Sequence, residues 1–394
     1  MSESGNPLKK SSLKVMIIVI VPILLSMVIL SLIFQSKSGN QVRNIDSKDL
    51  DQTAFVTTFN SNLPMHKNVI WCATFQMAWD KLKNDLIKEP VKLINAQDLA
   101  DQMNNSEFPP ENLDANSYYT AAGFVKDGII EKIQSDMTER FPDAPSPVFS
   151  KAYQAPMNPV LVYAYLNTNI KFKYPFYTYK KAFSFENSYK EKTYVTAFSS
   201  DIEEENKDTD YSRITNQVNV LYFEAGKDVN SGYFAVDLCK HTQPYQVILA
   251  LVPQKNTFEE MISDVENRIN EYKYNFFAWP DFMPTDKLVV PDVFYKITHI
   301  YTEFLNKEIG NEPWKSDSYT IFDAQQKIDF SLNKSGVALK SEGRLGGMMG
   351  GGAEPRYMYF NRPFLIYLKN RQPNSKPFFA MWIDNAELLS KYDK

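Results

Sequence analysis

Cysteine and histidine are scarce in this 394-residue chain, which has two of the first and three of the second. Cys72 and Cys239 are too few for a disulfide framework, leaving one long-range bridge or two buried thiols. His66, His241 and His299 have no neighbour at metal-ligating spacing, and neither HExxH nor CxxC occurs, so no metal or other cofactor is expected. There is no GK[ST], no G-x-G-x-x-G and no G-x-S-x-G elbow, so nothing marks a phosphate cradle or a nucleophilic serine. On these absences the chain is not expected to be an enzyme. Charge of one sign is lacking too: 43 Lys+Arg stand against 47 Asp+Glu, which argues against a nucleic-acid partner and against a solvating acidic tail. The one acidic run, "DIEEENKDTD" at 201–210, has neither glycine nor EF-hand spacing and reads as a solvated hairpin.

Long charge-free stretches are also rare, with one exception. "VMIIVIVPILLSMVILSLIF", residues 15–34, contains no charge, and at about 1.5 Å per residue it reaches roughly 30 Å, the thickness of a bilayer core. A cleaved signal peptide is the competing reading, but the run is longer than an ordinary h-region, and "QSKSG" after it is a poor cleavage site. Lys9, Lys10 and Lys14 precede the span. The expected arrangement is a polar tail 1–14, a single transmembrane helix 15–34 with its N-terminus cytoplasmic, a juxtamembrane linker 35–50 and one extracytoplasmic domain 51–394. Nothing in the sequence fixes the oligomeric state.

A content of 44% hydrophobic residues gives that domain enough material for one large core. "NVIWCATFQMAWDKLKND", 68–85, opens apolar and continues with a helical period. The later part of 110–137 reads as helix. From 158 onward β-branched and aromatic runs predict strands: "NPVLVYAYLNTNIKFKYPF", "KTYVTAF", "NQVNVLYF", "GYFAVDL", "YQVILALVP", "QQKIDFSLN", "FNRPFLIYLK" and "PFFAMWID". Between them, Thr257 and Glu260 form a capping box for a helix. The class is α+β, with helices early and antiparallel strands late. Asn104 and Asn333 begin glycosylation sequons, "NNS" and "NKS".

Half of the 14 glycines lie between Gly336 and Gly352, directly before the apolar "RYMYFNRPFLIYL". The first part of this stretch, "VALKSEGRL", alternates: Val337, Leu339, Ser341, Gly343 and Leu345 fall on one side, Ala338, Lys340, Glu342 and Arg344 on the other. That is the pattern of a strand with one dry and one wet face. "GGMMGGG" taken alone also fits a plain flexible connection open to proteases.

The closing third resembles the serpin family. "FNRPFLIYL", 360–368, matches the strand that follows the family's reactive loop. "PFFAMWIDN", 377–385, stands where its last core strand ends. "KIDFSLNKSGV", 327–337, is similar to its strand and hinge before the loop. Residues 288–310 resemble its strand-then-helix pattern, "YQVILALVPQKNTFEEMISDVE" a strand–helix pair, "VLVYAYLNTNIKFKYPF" (160–176) a central strand of the large sheet, and 66–72 its first buried strand.

The resemblance implies a serpin-like fold with a large mixed or antiparallel sheet, a smaller C-terminal sheet, several helices and an exposed reactive-type loop. It places a hinge at Gly336, Val337, Ala338, Leu339, Ser341 and Gly343 and a scissile region at Met348, Met349, Gly350 and Gly351, the methionines suiting a protease with a modest apolar pocket. A target protease is the implied partner, the chain being either an inhibitor or a non-inhibitory binding protein on the same fold. Several positions depart from the family pattern. Val337, Leu339 and Lys340 are bulkier than usual after the hinge, and Lys334 replaces a glutamate. Cys72 and Phe75 stand at serine positions, Phe172 at a tryptophan and Tyr163 at an asparagine.

Overall fold

Strict alternation divides the strand "NPVLVYAYLN" between two faces. In the computed structural model, residues 45–393 are described except 145, 150–157, 168–169, 201–213, 215, 229–230, 276–278 and 337–353. There this strand, β5 (Asn158–Asn167), sends Val160, Val162 and Ala164 into one hydrophobic cluster and Leu161, Tyr163 and Tyr165 into another. Helix α1 (Ala73–Lys81) lies on the first face with Phe75, Ala78 and Trp79. Helix α3 (Ile129–Arg140) lies on the second with Ile133 and Met137. A sheet covered on both faces needs apolar residues at consecutive positions, and this run supplies them. Each aliphatic side chain so buried contributes about 1.5–3 kcal/mol.

Around β5 the large sheet runs β1 (Ile45–Asp46), β12 (Val293–Ile300), β14 (Tyr319–Leu332), β5, β4 (Tyr118–Phe124), with the short β13 (Lys307–Glu308) also on β14. β12 and β14 are antiparallel, β4 and β5 are antiparallel, and the central pair β14–β5 is parallel. A seven-stranded sheet is ordered β2 (Thr53–Phe55), β3 (Asn68–Cys72), β17 (Pro377–Ile383), β16 (Phe364–Asn370), β10 (Tyr245–Leu251), β9 (Tyr233–Asp237), β8 (Asn219–Glu224). A four-stranded sheet is ordered β15 (Tyr357–Tyr359), β11 (Lys287–Pro291), β7 (Lys192–Ser199), β6 (Tyr177–Glu186). Two further α-helices are α2 (Gln97–Asn104) and α4 (Phe258–Lys273), and in α4 Phe258, Met261, Ile262 and Val265 face the core at helical spacing.

Several sequence expectations need correction. The helix expected within 288–310 does not form. β12 gives way to a 3-10 turn at Thr302–Phe304, and Asn306 takes a left-handed conformation (φ 59°) that no helix continues through. The helix expected late in 110–137 is α3, but strand β4 precedes it. There Tyr119 and Ala121 pack on the α3 side and Ala122 on the α1 side, a strand alternation masked by small residues. The capping box of α4 is rearranged: Thr257 Oγ1 accepts from Glu260 N at 3.1 Å, while the Glu260 carboxylate accepts from Asn256 N. The late strands do not all pair antiparallel, since β14–β5 and β11–β15 are parallel, and the large sheet is mixed, within the expectation of a mixed or antiparallel sheet. Cys72 and Cys239 are both buried free thiols. The acidic run 201–210 and the apolar run 15–34 lie outside the described residues, and among those described no helix is long and apolar enough to cross a membrane.

Candidate functional site

The glycine-rich segment is held at two feet, one in the large sheet and one in the four-stranded sheet. At the leading foot β14 ends in a tight turn in which Gly336 N donates to Asn333 O at 2.9 Å and Ser335 N donates to Asn333 Oδ1 at 2.9 Å. Gly336 has φ +100°, and a Cβ there would sit 2.5 Å from Phe172 N and 2.6 Å from Ile170 O. Glycine is therefore required by both backbone angle and space. The turn is fastened sideways: Gly336 bridges Lys171, Phe172 N donates to Ser335 O at 3.3 Å, and Phe176 N donates to Lys334 O at 2.7 Å. Lys334 Nζ donates to Thr178 Oγ1 at 2.9 Å, so the lysine at the expected glutamate position has a partner of its own. Phe172 is buried against Phe176 and Phe198 at ring distances of 5.1 and 6.3 Å.

The trailing foot is Arg356, just before β15. Its backbone N–H and side chain both engage Asp286, with Nη2 to Oδ2 at 2.6 Å. The rest of the guanidinium donates to Trp279 O at 2.6 Å and Asp281 O at 2.5 Å. Asp286 is 1% exposed. A buried carboxylate held by a forked guanidinium and a backbone N–H is a strong, directional anchor. Beyond it β15 pairs in parallel with β11, and Phe360 N donates to Val289 O at 3.0 Å.

The leading foot lies at the end of the β14–β5 seam of the large sheet. β14 and β5 pair directly from Tyr319–Asn158 to Asp329–Asn167, with one bulge between Ile321 and Asp323. On the α1 face, Gln326 accepts from Tyr301 Oη at 2.8 Å and donates to Thr74 Oγ1 at 2.9 Å and to Cys72 O. Gln326 lies opposite Ala164 on β5, so this network ties β14 to α1 and to Tyr301 just after β12. Cys72 Sγ lies 3.1 Å from Thr74 Oγ1, and burial pushes its thiol up to about 11. Phe75 stacks on Tyr301 at 3.9 Å. Tyr163 is not part of this network. It points to the opposite face, packed on Tyr119 and Phe149. On that face the segment 146–149 lies across the sheet, where Gln325 Nε2 donates to Val148 O at 3.4 Å.

Of the residues expected from sequence, Gly336 and Lys334 are placed at the leading foot, with Phe172 beside them. Val337, Ala338, Leu339, Ser341, Gly343, Met348, Met349, Gly350 and Gly351 lie outside the described residues. Sequence reasoning missed Arg356 and Asp286, which are separated by 70 positions, and missed the polar trio Thr74, Tyr301 and Gln326. Neither group has a local motif. The charged pair is visible only as an arginine opening an apolar strand.

No family model matches the sequence, and no curated protein matches it. Solved structures similar to the chain include Serpin48 from the insect Tenebrio molitor, at 10% identity over 81% of this chain and 92% of that one, TM-score 0.46. Native protease nexin-1 with heparin is 9% identical over 81% and 92%, TM-score 0.48. Human glycosylated kallistatin is 12% identical over 81% and 92%, TM-score 0.45. The serpin-like reading of this chain rests on its own motifs and on the order β14, glycine-rich segment, β15, β16, β17, in which β14 and β15 belong to separate sheets.

Proposed function

We propose that this is a serpin-like protein, anchored to a membrane by residues 15–34, that offers residues 337–353 to a protease as bait. Cleavage near Met349–Gly350 frees the leading arm, which enters the large sheet between β14 and β5. The observation that carries this reading is the polarity of the seam. A chain that leaves the end of β14 and turns back runs antiparallel to β14. Because β5 is parallel to β14, it runs antiparallel to β5 as well, so one strand satisfies both edges. Serpin loop insertion is a known case of such strand addition. Alternation in "VALKSEGRL" gives the arm one face for each side of the sheet.

A non-inhibitory role on the same fold is the second reading, and the seam also favours it. Gln326, Tyr301 and Thr74 brace β14 on one face and the 146–149 segment crosses the other, while Leu339 adds bulk that a filled sheet resists. Inhibition requires insertion to outrun hydrolysis of the acyl-enzyme; a binding protein has no such demand.

The two are separated by mixing the full chain in detergent with a panel of serine and cysteine proteases. An SDS-resistant covalent complex is expected from an inhibitor. Cleavage at 343–353 with no complex in any member of the panel removes the inhibitory reading. Resistance of that stretch to every protease removes the bait itself.

A further inference from the structure

A strand face covered by other chain is ordinarily apolar, and the face of β14 crossed by the 146–149 segment is not. Gln325 and Lys327, at alternate positions there, are 3% and 5% exposed, and Asp329 follows them half-buried. A lysine buried this far is ordinarily paired. Lys327 Nζ has Ser146 O at 3.5 Å, the outer limit of a hydrogen bond. Asp329 Oδ2 lies 3.5 Å from Lys296 Nζ on β12. Gln325 sits directly opposite Tyr163 across the seam, and neither Gln325 Oε1 nor Tyr163 Oη meets a hydrogen-bond partner among the described residues. The row keeps buried polar capacity unfilled at the place where β14 and β5 meet, which is costly unless something fills it.

The turn after β14 determines what an entering strand would set beside this row. Asn333 N donates to Gly336 O at 3.2 Å and Gly336 N donates to Asn333 O at 2.9 Å, the closing pair of a two-residue antiparallel hairpin. Continued without a slip, that register sets position 340 opposite 329, 342 opposite 327 and 344 opposite 325. Directly opposed residues of an antiparallel pair point to the same face. In the sequence these positions are Lys340, Glu342 and Arg344. A base then meets Asp329, an acid meets Lys327, and a guanidinium meets the open acceptors of Gln325 and Tyr163. On the other face Val337 and Leu339 fall opposite Leu332 and Phe330. Gly343 falls opposite Gln326, with no side chain to displace its bonds to Tyr301 and Thr74.

Resting on the insertion reading above, we propose that Asp329, Lys327, Gln325 and Tyr163 form a peptide-recognition row in the seam. The row selects an extended strand that carries base, acid and base at alternate positions, and Lys340, Glu342 and Arg344 of this chain are its ligand. It also sets the register. A slip of two residues in one direction opposes Glu342 to Asp329 and Arg344 to Lys327, and in the other direction it opposes Lys340 to Lys327. Each slip keeps the faces but sets like charge against like, which is destabilising.

The test is the rise in thermal midpoint when the full chain in detergent is cut within 346–353, with the cut position read by mass. Taking the rise within each variant removes the effect of a substitution on the intact fold. The native chain is expected to show the rise, Glu342→Lys and Lys327→Glu each to lose most of it, and the exchanged pair Lys327→Glu/Glu342→Lys to recover it. Ala338→Lys, on the same face but opposite Ser331, is expected to keep it. No rise in the native chain removes insertion and the row together. A native rise that either single variant keeps, that Ala338→Lys loses as Glu342→Lys does, or that the exchanged pair fails to recover overturns the row alone and leaves insertion standing. Where Lys327→Glu does not fold, Glu342→Lys against Ala338→Lys decides. Loss in the first alone supports the row, and an equal rise in the two overturns it.

Discussion

Asp286 holds Arg356 in a forked grip, with Arg356 Nε 3.2 Å from Oδ1 and 3.1 Å from Oδ2 and Nη2 2.6 Å from Oδ2. The grip joins the residue before β15 to the residue before β11. Replacing Arg356 by Met leaves a buried carboxylate uncompensated, which costs about 3–5 kcal/mol. Urea unfolding of Arg356→Met should show that loss, and the double variant Arg356→Met/Asp286→Leu should recover most of it. A single variant as stable as the native chain would show that the pair does not anchor the foot.

Two glycines with positive φ give a controlled comparison. At Gly336 a Cβ meets backbone atoms at 2.5 and 2.6 Å, whereas at Gly128 (φ +78°) the nearest atom is Glu131 Oε2 at 3.7 Å. Gly128→Ala carries the left-handed backbone penalty of about 1–2 kcal/mol. Gly336→Ala adds the collision with Phe172 and Ile170, and its thermal midpoint should drop further. Equal shifts would mean the leading foot yields without resistance.

Cutting the loop should raise the thermal midpoint by well over the ~2–4 °C that 1 kcal/mol moves a large domain. The gain comes from new backbone bonds at about 1 kcal/mol each and burial of Val337, Leu339 and Leu345 at about 1.5–3 kcal/mol each. Leu339→Asp should abolish the rise, while Ala338→Asp, on the wet side, should keep it. Identical midpoints for cut and uncut native chain would remove insertion and leave a static module.

The sequon at Asn104 should stay unmodified in the folded chain. Its amide donates to Val91 O at 2.8 Å and accepts from Trp79 Nε1 at 3.2 Å and Val91 N at 3.1 Å, so no free amide edge is presented. Peptide mass mapping should find it bare. Asn104→Ala should cost about 1–3 kcal/mol by stranding buried donors. A glycan found there would contradict the packing around α2.

Legibility in the sequence followed the range of the interactions. β5 and β10 were readable because burial on both faces writes a continuous apolar run, and α4 because Phe258, Met261, Ile262 and Val265 repeat at helical spacing beneath a threonine cap. β4 was not, since Ala121, Ala122 and Gly123 carry no strand preference and their place is set by α1 and α3. At the site, Gly336 was legible through its hinge context. Arg356–Asp286 and Gln326–Tyr301–Thr74 were not, because each joins residues distant in the chain through side chains with no fixed spacing. Nor did the sequence show that Tyr163 lies on the face opposite Gln326's network, packed on Tyr119 and Phe149, because one step along a strand moves a side chain to the other face.

The parallel seam between β5 and β14 has a further consequence on the insertion reading. Admitting a strand breaks one ladder and makes two, so the filled sheet has no route back to the open one while the new strand stays. The molecule then works as a single-use recorder. Each intact copy registers one encounter, and the ratio of filled to open sheets in a population counts the proteolysis it has met.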